Sequence, residues 1–141
     1  LQKKAQMDIQ SPSLTSMSEV ELLKSLSEAR DRQDVVGFNK RYDVFMQRFS
    51  MGALAGDAVY LAGLQELSLK NYGKALKYFS MVQKLYPYNH RAASSLYFKG
   101  VTLKKMNLAT QAVSAYSLVV KKYPGSPEAL RAHNELKYLN K

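Results

Sequence analysis

A chain of 141 residues that is 46% hydrophobic has enough apolar side chains to bury a core, which excludes a disordered tail. It has no cysteine, which excludes disulfides, thiolate zinc sites and thiol catalysis and leaves the redox compartment open. Its formal charge of +10 is concentrated: between Glu66 and Glu128 there is no acidic residue, while ten lysines and arginines fall inside that interval. A surface of one sign speeds encounter with an oppositely charged partner and fades with salt, and it also keeps a protein in solution.

Leu1 to Leu14 is polar, contains Pro12 and has no helical period, so residues 1–15 are expected to form a flexible N-terminal arm. This stretch has neither the apolar core nor the cleavage pattern of a signal peptide, and no run reaches the roughly 18 residues that would span a bilayer. The chain is therefore read as soluble as given, an excised domain or processed form with any address outside it.

A first helix is expected near Ser18. Ser18 with Glu21, and equally Ser16 with Glu19, have the S-x-x-E spacing of a capping box. Val20, Leu23, Leu26 and Ala29 supply an apolar stripe. Asp34 can cap a second helix carrying Phe38, Tyr42, Phe45 and Phe49, and Ser50 to Ala53 reads as a turn through Gly52. A third helix is expected from Leu54 to Lys70, a turn at Asn71-Tyr72-Gly73, and an antiparallel partner from Lys74 to Tyr86 that Pro87 ends. The plan then repeats as Arg91 to Met106, a break at Asn107, and Leu108 to Tyr123. Ser126 and Pro127 start a last helix with Ala129, Leu130, Ala132, Leu136 and Leu139 on its apolar side.

The repetition is quantitative. At an offset of 37 residues Gly63 falls on Gly100, Ala75 on Ala112, Phe79 on Tyr116, Val82 on Val119, Lys84 on Lys121, Tyr86 on Tyr123 and Pro87 on Pro124. The same offset carries Ala75, Phe79, Val82 and Tyr86 back to the first four aromatics, a degenerate copy with Leu26 in place of the glycine. A fixed period of this length signals stacked helical units, each too small to bury its own apolar face.

The stretch DAVYLAGLQELSLKNYGKALKYFSMVQKLYPYNH resembles a tetratricopeptide repeat: a small residue in the first helix, Ala plus an aromatic in the second, and a terminal proline. It departs in having Val59 and Leu96 where the first-helix tryptophan is usual, and in its long period. The endings KLYPYNHRAA and KKYPGSPEAL are similar to those of the periplasmic cell-division coordinator of the Tol-Pal system and of bacterial outer-membrane assembly lipoproteins. The resemblance implies an all-α fold, a right-handed solenoid of antiparallel helix hairpins with about seven helices and a C-terminal capping helix. The domain is expected over residues 16–141: a degenerate repeat at 18–50, repeats at 54–87 and 91–124, and the cap at 126–139.

It further implies that the first helix of each unit lines a concave groove, presenting Asp57, Tyr60, Leu64, Leu67 and Ser68, then Ser94, Tyr97, Val101, Lys104 and Lys105. Tyrosines there are anchors for a peptide, or else they pack on the protein's own neighbouring helix or arm. Leu64 and Val101 stand where a carboxylate-clamp groove has asparagines, which argues against capture of a terminal carboxylate, whereas Lys104 and Lys105 suit an acidic segment. His90 and His133 have no neighbours that make a metal set, and no phosphate loop, nucleophile elbow or useful acid pair appears. The expected function is a non-enzymatic scaffold, without cofactor or small-molecule substrate, that binds a protein or peptide in a bacterial periplasmic or cell-envelope complex. The alternative is a polyanion, nucleic acid or an anionic membrane surface, bound through the basic 67–127 region. Self-association through a solenoid end is a third.

Overall fold

The computed structural model describes residues 13–139. Within them the chain is all helix: α1 (Glu19–Asp31), α2 (Val35–Phe49), α3 (Ala55–Ser68), α4 (Tyr72–Leu85), α5 (Ala92–Lys105), α6 (Ala109–Lys122) and α7 (Pro127–Leu139), with no strand among the described residues. Two compact units divide at Ala55 and Gly56, the first holding α1 and α2 and the second α3 to α7. Of the arm expected at 1–15, residues 1–12 lie outside the described residues.

In the first unit Ser18 is the N-cap of α1. Its hydroxyl accepts from Glu21 N (3.1 Å) while Glu21 Oε2 accepts from Ser18 N (3.3 Å), so both halves of the capping box are made. Ser16 instead closes the preceding turn by donating to the Ser13 carbonyl. The buried stripe is Leu22, Leu26 and Ala29, and Val20 is 67% exposed, which corrects the expected stripe. At about 100° per residue Leu22, Leu26 and Ala29 fall within about 60° of one another and Val20 about 160° from Leu22. Asp34 Oδ1 caps α2 by accepting from Gly37 N at 2.9 Å. Phe38 and Phe45 are buried between the two helices, and Leu26, at the position of the later glycines, is fully buried too. Arg48 lies over the Phe49 ring and donates to the carbonyls of Leu14 (3.0 Å) and Met17 (2.6 Å), tying the entry segment to α2.

In the second unit α5 packs against both α4 and α6, and α7 closes on α6. Close approach needs the two glycines. A Cβ at Gly63 would lie 2.5 Å from Phe79 Cε1, and one at Gly100 would lie 2.6 Å from Tyr116 Cε1, so each aromatic ring of a second helix sits directly on the backbone of its first. The core around Gly100 joins Leu96, Leu103, Ala112, Tyr116 and Val119 to Ala129 and Ala132 of α7, with Leu136 and Leu139 packed at its edge. Ser126 caps α7 through its bond from Ala129 N (3.0 Å). Leu130 is 65% exposed, a correction to the apolar side expected for this helix, because at about 100° per residue it stands about 100° from the buried Ala129 and about 160° from the buried Ala132.

The expected turn at Asn71-Tyr72-Gly73 is also corrected. The chain reverses at Lys70, and Tyr72 and Gly73 are already helical. Lys70 has φ 62°, and the two other non-glycine residues with positive φ among those described are Gln33 (59°) and Asn107 (61°), each 37 residues apart. All three close the same motif. The amide after the left-handed residue reaches the carbonyl five back, as Asp34 to Ala29, Asn71 to Glu66 and Leu108 to Leu103, while the left-handed residue's own amide reaches three back. These are Schellman caps, in which the left-handed residue satisfies carbonyls that the helix end would leave open. The period thus holds in backbone conformation even where the residue type changes.

Candidate partner-binding pocket

The ten groove residues expected from the sequence separate into distinct environments, with Ser68 exposed at the end of α3. Asp57 and Tyr60 are turned inward, 7% and 8% exposed. Asp57 Oδ1 accepts from Asn89 Nδ2 (2.8 Å) and Oδ2 from His90 Nε2 (2.5 Å), while Asn89 Oδ1 accepts from Arg91 N (2.8 Å) at the threshold of α5. Ser94, one period later, does the equivalent job by donating to Glu128 Oε1 (2.7 Å) in the first turn of α7. The Tyr60 ring meets Phe79 and Phe98 at centroid distances of 6.3 and 6.2 Å, and the Arg91 guanidinium lies 5.3 Å from it. The reading of these tyrosines as packing on a neighbouring helix therefore describes Tyr60. Leu64 and Leu67 are half-buried on α3, away from the pocket described next.

Tyr97, Val101, Lys104 and Lys105 are brought together. They line a pocket of about 640 Å³ with Phe98, Asn107, Tyr116, Arg131 and Glu135, contributed by α5, α6 and α7. The reason it opens here lies in the period. Phe98 covers the ring of Tyr60; the position 37 residues after Phe98 is Glu135, so Tyr97, the counterpart of Tyr60, meets a carboxylate-bearing helix where Tyr60 meets a ring. Glu135 in turn pairs with Lys104 at 2.9 Å. Tyr116, Phe98, Arg131 and Glu135 belong to the pocket but were not expected from the sequence. The last two lie on a helix read only as a cap.

Burial sets the chemistry of the phenols. Tyr116 is fully buried, and its hydroxyl has no hydrogen-bond partner among the described residues. Burial, then Glu135 and Tyr97, push its pKa far above the ordinary value near 10. Burial and Glu135 raise Tyr97 as well, against the opposing pull of Arg131 and Lys104, and burial raises Tyr86 and Tyr123. These phenols keep their protons in the fold after the unfolded chain has begun to lose them, so their contribution is intact below pH 10 and drains away as pH climbs above it. The urea midpoint should hold between about pH 8 and pH 9.5 and fall by pH 11, with a shallower fall in Tyr116→Phe. An identical slope in that variant would show that Tyr116 is not protected.

Among the described residues no group of three or more acidic, histidine or cysteine side chains is placed to hold a metal, and no helix is long and apolar enough to cross a membrane. The tetratricopeptide repeat family model matches residues 57–87 and 94–126, which are the α3–α4 and α5–α6 hairpins with their closing segments. Comparison with curated proteins gives no match. With glycine, alanine and aromatic meeting at the same place in both matched segments, the chain carries two repeats of the tetratricopeptide repeat family, whose repeats generally mediate protein–protein interactions and are typically non-enzymatic.

Proposed function

We propose that this protein is a non-enzymatic scaffold that holds a segment of a protein partner against α5 and α7, with Tyr97 and Val101 as the apolar floor and the neighbouring cations as the rim. The observation that carries this reading is the half-buried Tyr97 in an open pocket, one period after a Tyr60 that its own fold has covered. An amphipathic ring of few rotors on a partly apolar wall loses little entropy when a peptide settles on it. The setting we infer is a bacterial cell-envelope complex, supported by the Tyr86-Pro87 and Tyr123-Pro124 closures and their likeness to envelope repeat proteins.

Tyr97→Ala should lower affinity for peptides selected on the intact protein by at least about tenfold and cost less stability than Tyr60→Ala, since its ring, though it meets Phe98 and Tyr116, is only half-buried. Tyr60→Ala should instead lower the urea midpoint. Equal loss of binding without loss of stability in both variants would show that the groove extends onto α3 and that the floor has been drawn too short.

The ten cations between residues 67 and 127, with no acid among them, favour a second reading, polyanion binding over the whole basic face. Counterion release would make that affinity collapse by about 0.5 M salt, whereas an apolar floor keeps its hold. Titration of heparin and of a selected peptide across that range separates the two.

A further inference from the structure

Four helix ends of the second unit are tied together at one edge. Gln83, near the end of α4, donates to the Ala92 carbonyl at the start of α5 (2.5 Å), and its Oε1 accepts from Tyr123 Oη, just past α6, at 3.4 Å. Ser94 of α5 reaches Glu128, in the first turn of α7, at 2.7 Å. The closing residues of α4 and α6 and the loops that follow them therefore share this edge with the first turns of α5 and α7.

The edge exposes apolar side chains and lysines together. Leu85 is 58% exposed, Tyr88 99% and Leu130 65%, and Leu130 borders an apolar cleft of about 560 Å³ with Val120, Pro124 and Pro127. Beside them stand Lys84 and Lys121, which hold the same position one period apart, and Lys122, which falls where α4 has Leu85; all three are exposed. The acids that reach the edge are engaged: Asp57 is buried against Asn89 and His90, and Glu128 accepts from Ser94. The charge left facing outward is positive.

Each class of partner asks for a different edge. A protein interface is depleted in lysine, because withdrawing an ammonium from water is costly. Nucleic acid answers the lysines through its phosphates and leaves the leucines uncovered. A bilayer uses both: leucine and tyrosine enter the headgroup zone partway, lysine stems lie along it with their charges in water, and anionic headgroups supply the opposite sign.

We propose that this edge of the second unit docks on an anionic bilayer surface, with Leu85, Tyr88 and Leu130 entering the headgroup zone and Lys84, Lys121 and Lys122 meeting the lipid phosphates. Tyr97 takes no part, so a partner segment and a membrane can be held at once.

The test is sedimentation of the intact chain with large unilamellar phosphatidylcholine vesicles, with or without about 30% phosphatidylglycerol, in about 0.1 M salt. The chain should bind the anionic vesicles and not the neutral ones. Lys84→Gln with Lys121→Gln and Lys122→Gln should weaken binding on the order of 100-fold. Lys70→Gln with Lys74→Gln and Lys105→Gln removes as much charge at other helix ends and should cost only about threefold. Leu85→Ser with Tyr88→Ser should weaken binding at least about tenfold with an unchanged thermal transition, since both side chains already face water. Tyr88→Trp places the only indole in the chain at the surface, and its emission should shift to the blue on anionic vesicles. Failure to bind anionic vesicles would overturn the proposal. Equal losses in the two lysine triples, or no loss in the leucine and tyrosine variant, would overturn it in favour of diffuse attraction. A single-stranded oligonucleotide held more tightly than the vesicles through Lys84, Lys121 and Lys122 would overturn it in favour of nucleic acid. Loss of vesicle binding in Tyr97→Ala would overturn the separation of the two surfaces, whereas unchanged vesicle binding there supports it whatever becomes of the groove.

Discussion

Gly100→Ala should destabilise the protein by about 2 kcal/mol, although alanine is the better helix former by about 1 kcal/mol. The added methyl would stand 2.6 Å from Tyr116 Cε1, and 2.8 Å from Cδ1, closer than carbon atoms tolerate. That ring cannot swing out of the way: it is fully buried within a cluster that includes Leu96, Leu103, Val119 and Ala132. Overpacking of a filled core costs about 1–3 kcal/mol, and an immobile ring edge takes the upper end, about 3, from which the helix-propensity gain is subtracted. Gly63→Ala against Phe79 should behave alike, because its contacts repeat those of Gly100 within 0.1 Å. The control is Gly73→Ala, where an added Cβ meets nothing within 4 Å and the helix should gain up to about 1 kcal/mol. Urea unfolding of the three variants decides the matter. If Gly100→Ala and Gly73→Ala shift stability in the same direction, the ring does not hold its helix as closely as described.

These contacts also explain what could be read beforehand. Gly63, Ala75 and Phe79, with their counterparts Gly100, Ala112 and Tyr116, recur because each occupies a place where only that size fits, so the period appears in residue identity. The reversals at Gln33, Lys70 and Asn107 share a conformation but not a residue type. A Schellman cap asks for a left-handed backbone, which several residue types can adopt at modest cost, and the Asn71-Tyr72-Gly73 sequence offered a stronger turn signal one step away. The pocket was half legible for a related reason. Tyr97, Val101, Lys104 and Lys105 lie on one helix at helical spacing, whereas Tyr116, Arg131 and Glu135 reach the same space from two other helices. A clue was present: Glu135 stands one period after Phe98 and two after Leu61, a charge where the two preceding copies have an apolar side chain.

Asp57, expected on the groove, is buried in the structure, and Asp57→Ala should lower stability by about 2 kcal/mol while leaving peptide affinity unchanged. Its carboxylate is buried and accepts from both Asn89 and His90, and Asn89 passes the constraint on to Arg91 N at the start of α5. Removing the acceptor forfeits hydrogen bonds to a charged group, worth about 1.5–3 kcal/mol, and it frees the segment that orients one hairpin on the next. The His90 side chain is 65% exposed and can be repaid by water, which holds the loss near the middle of that range. Asp57→Asn keeps an oxygen for Asn89 and gives up the second acceptor, so it should lose roughly half as much. Ser94→Ala, at the equivalent joint, breaks a single bond to Glu128 and should cost about 1 kcal/mol. Chemical denaturation paired with peptide anisotropy reads both quantities. A drop in peptide affinity with an unmoved denaturation midpoint would mean that Asp57 faces a partner after all, and that the joint between hairpins is held by other contacts, chief among them the Phe79 and Phe98 rings stacked 6.1 Å apart.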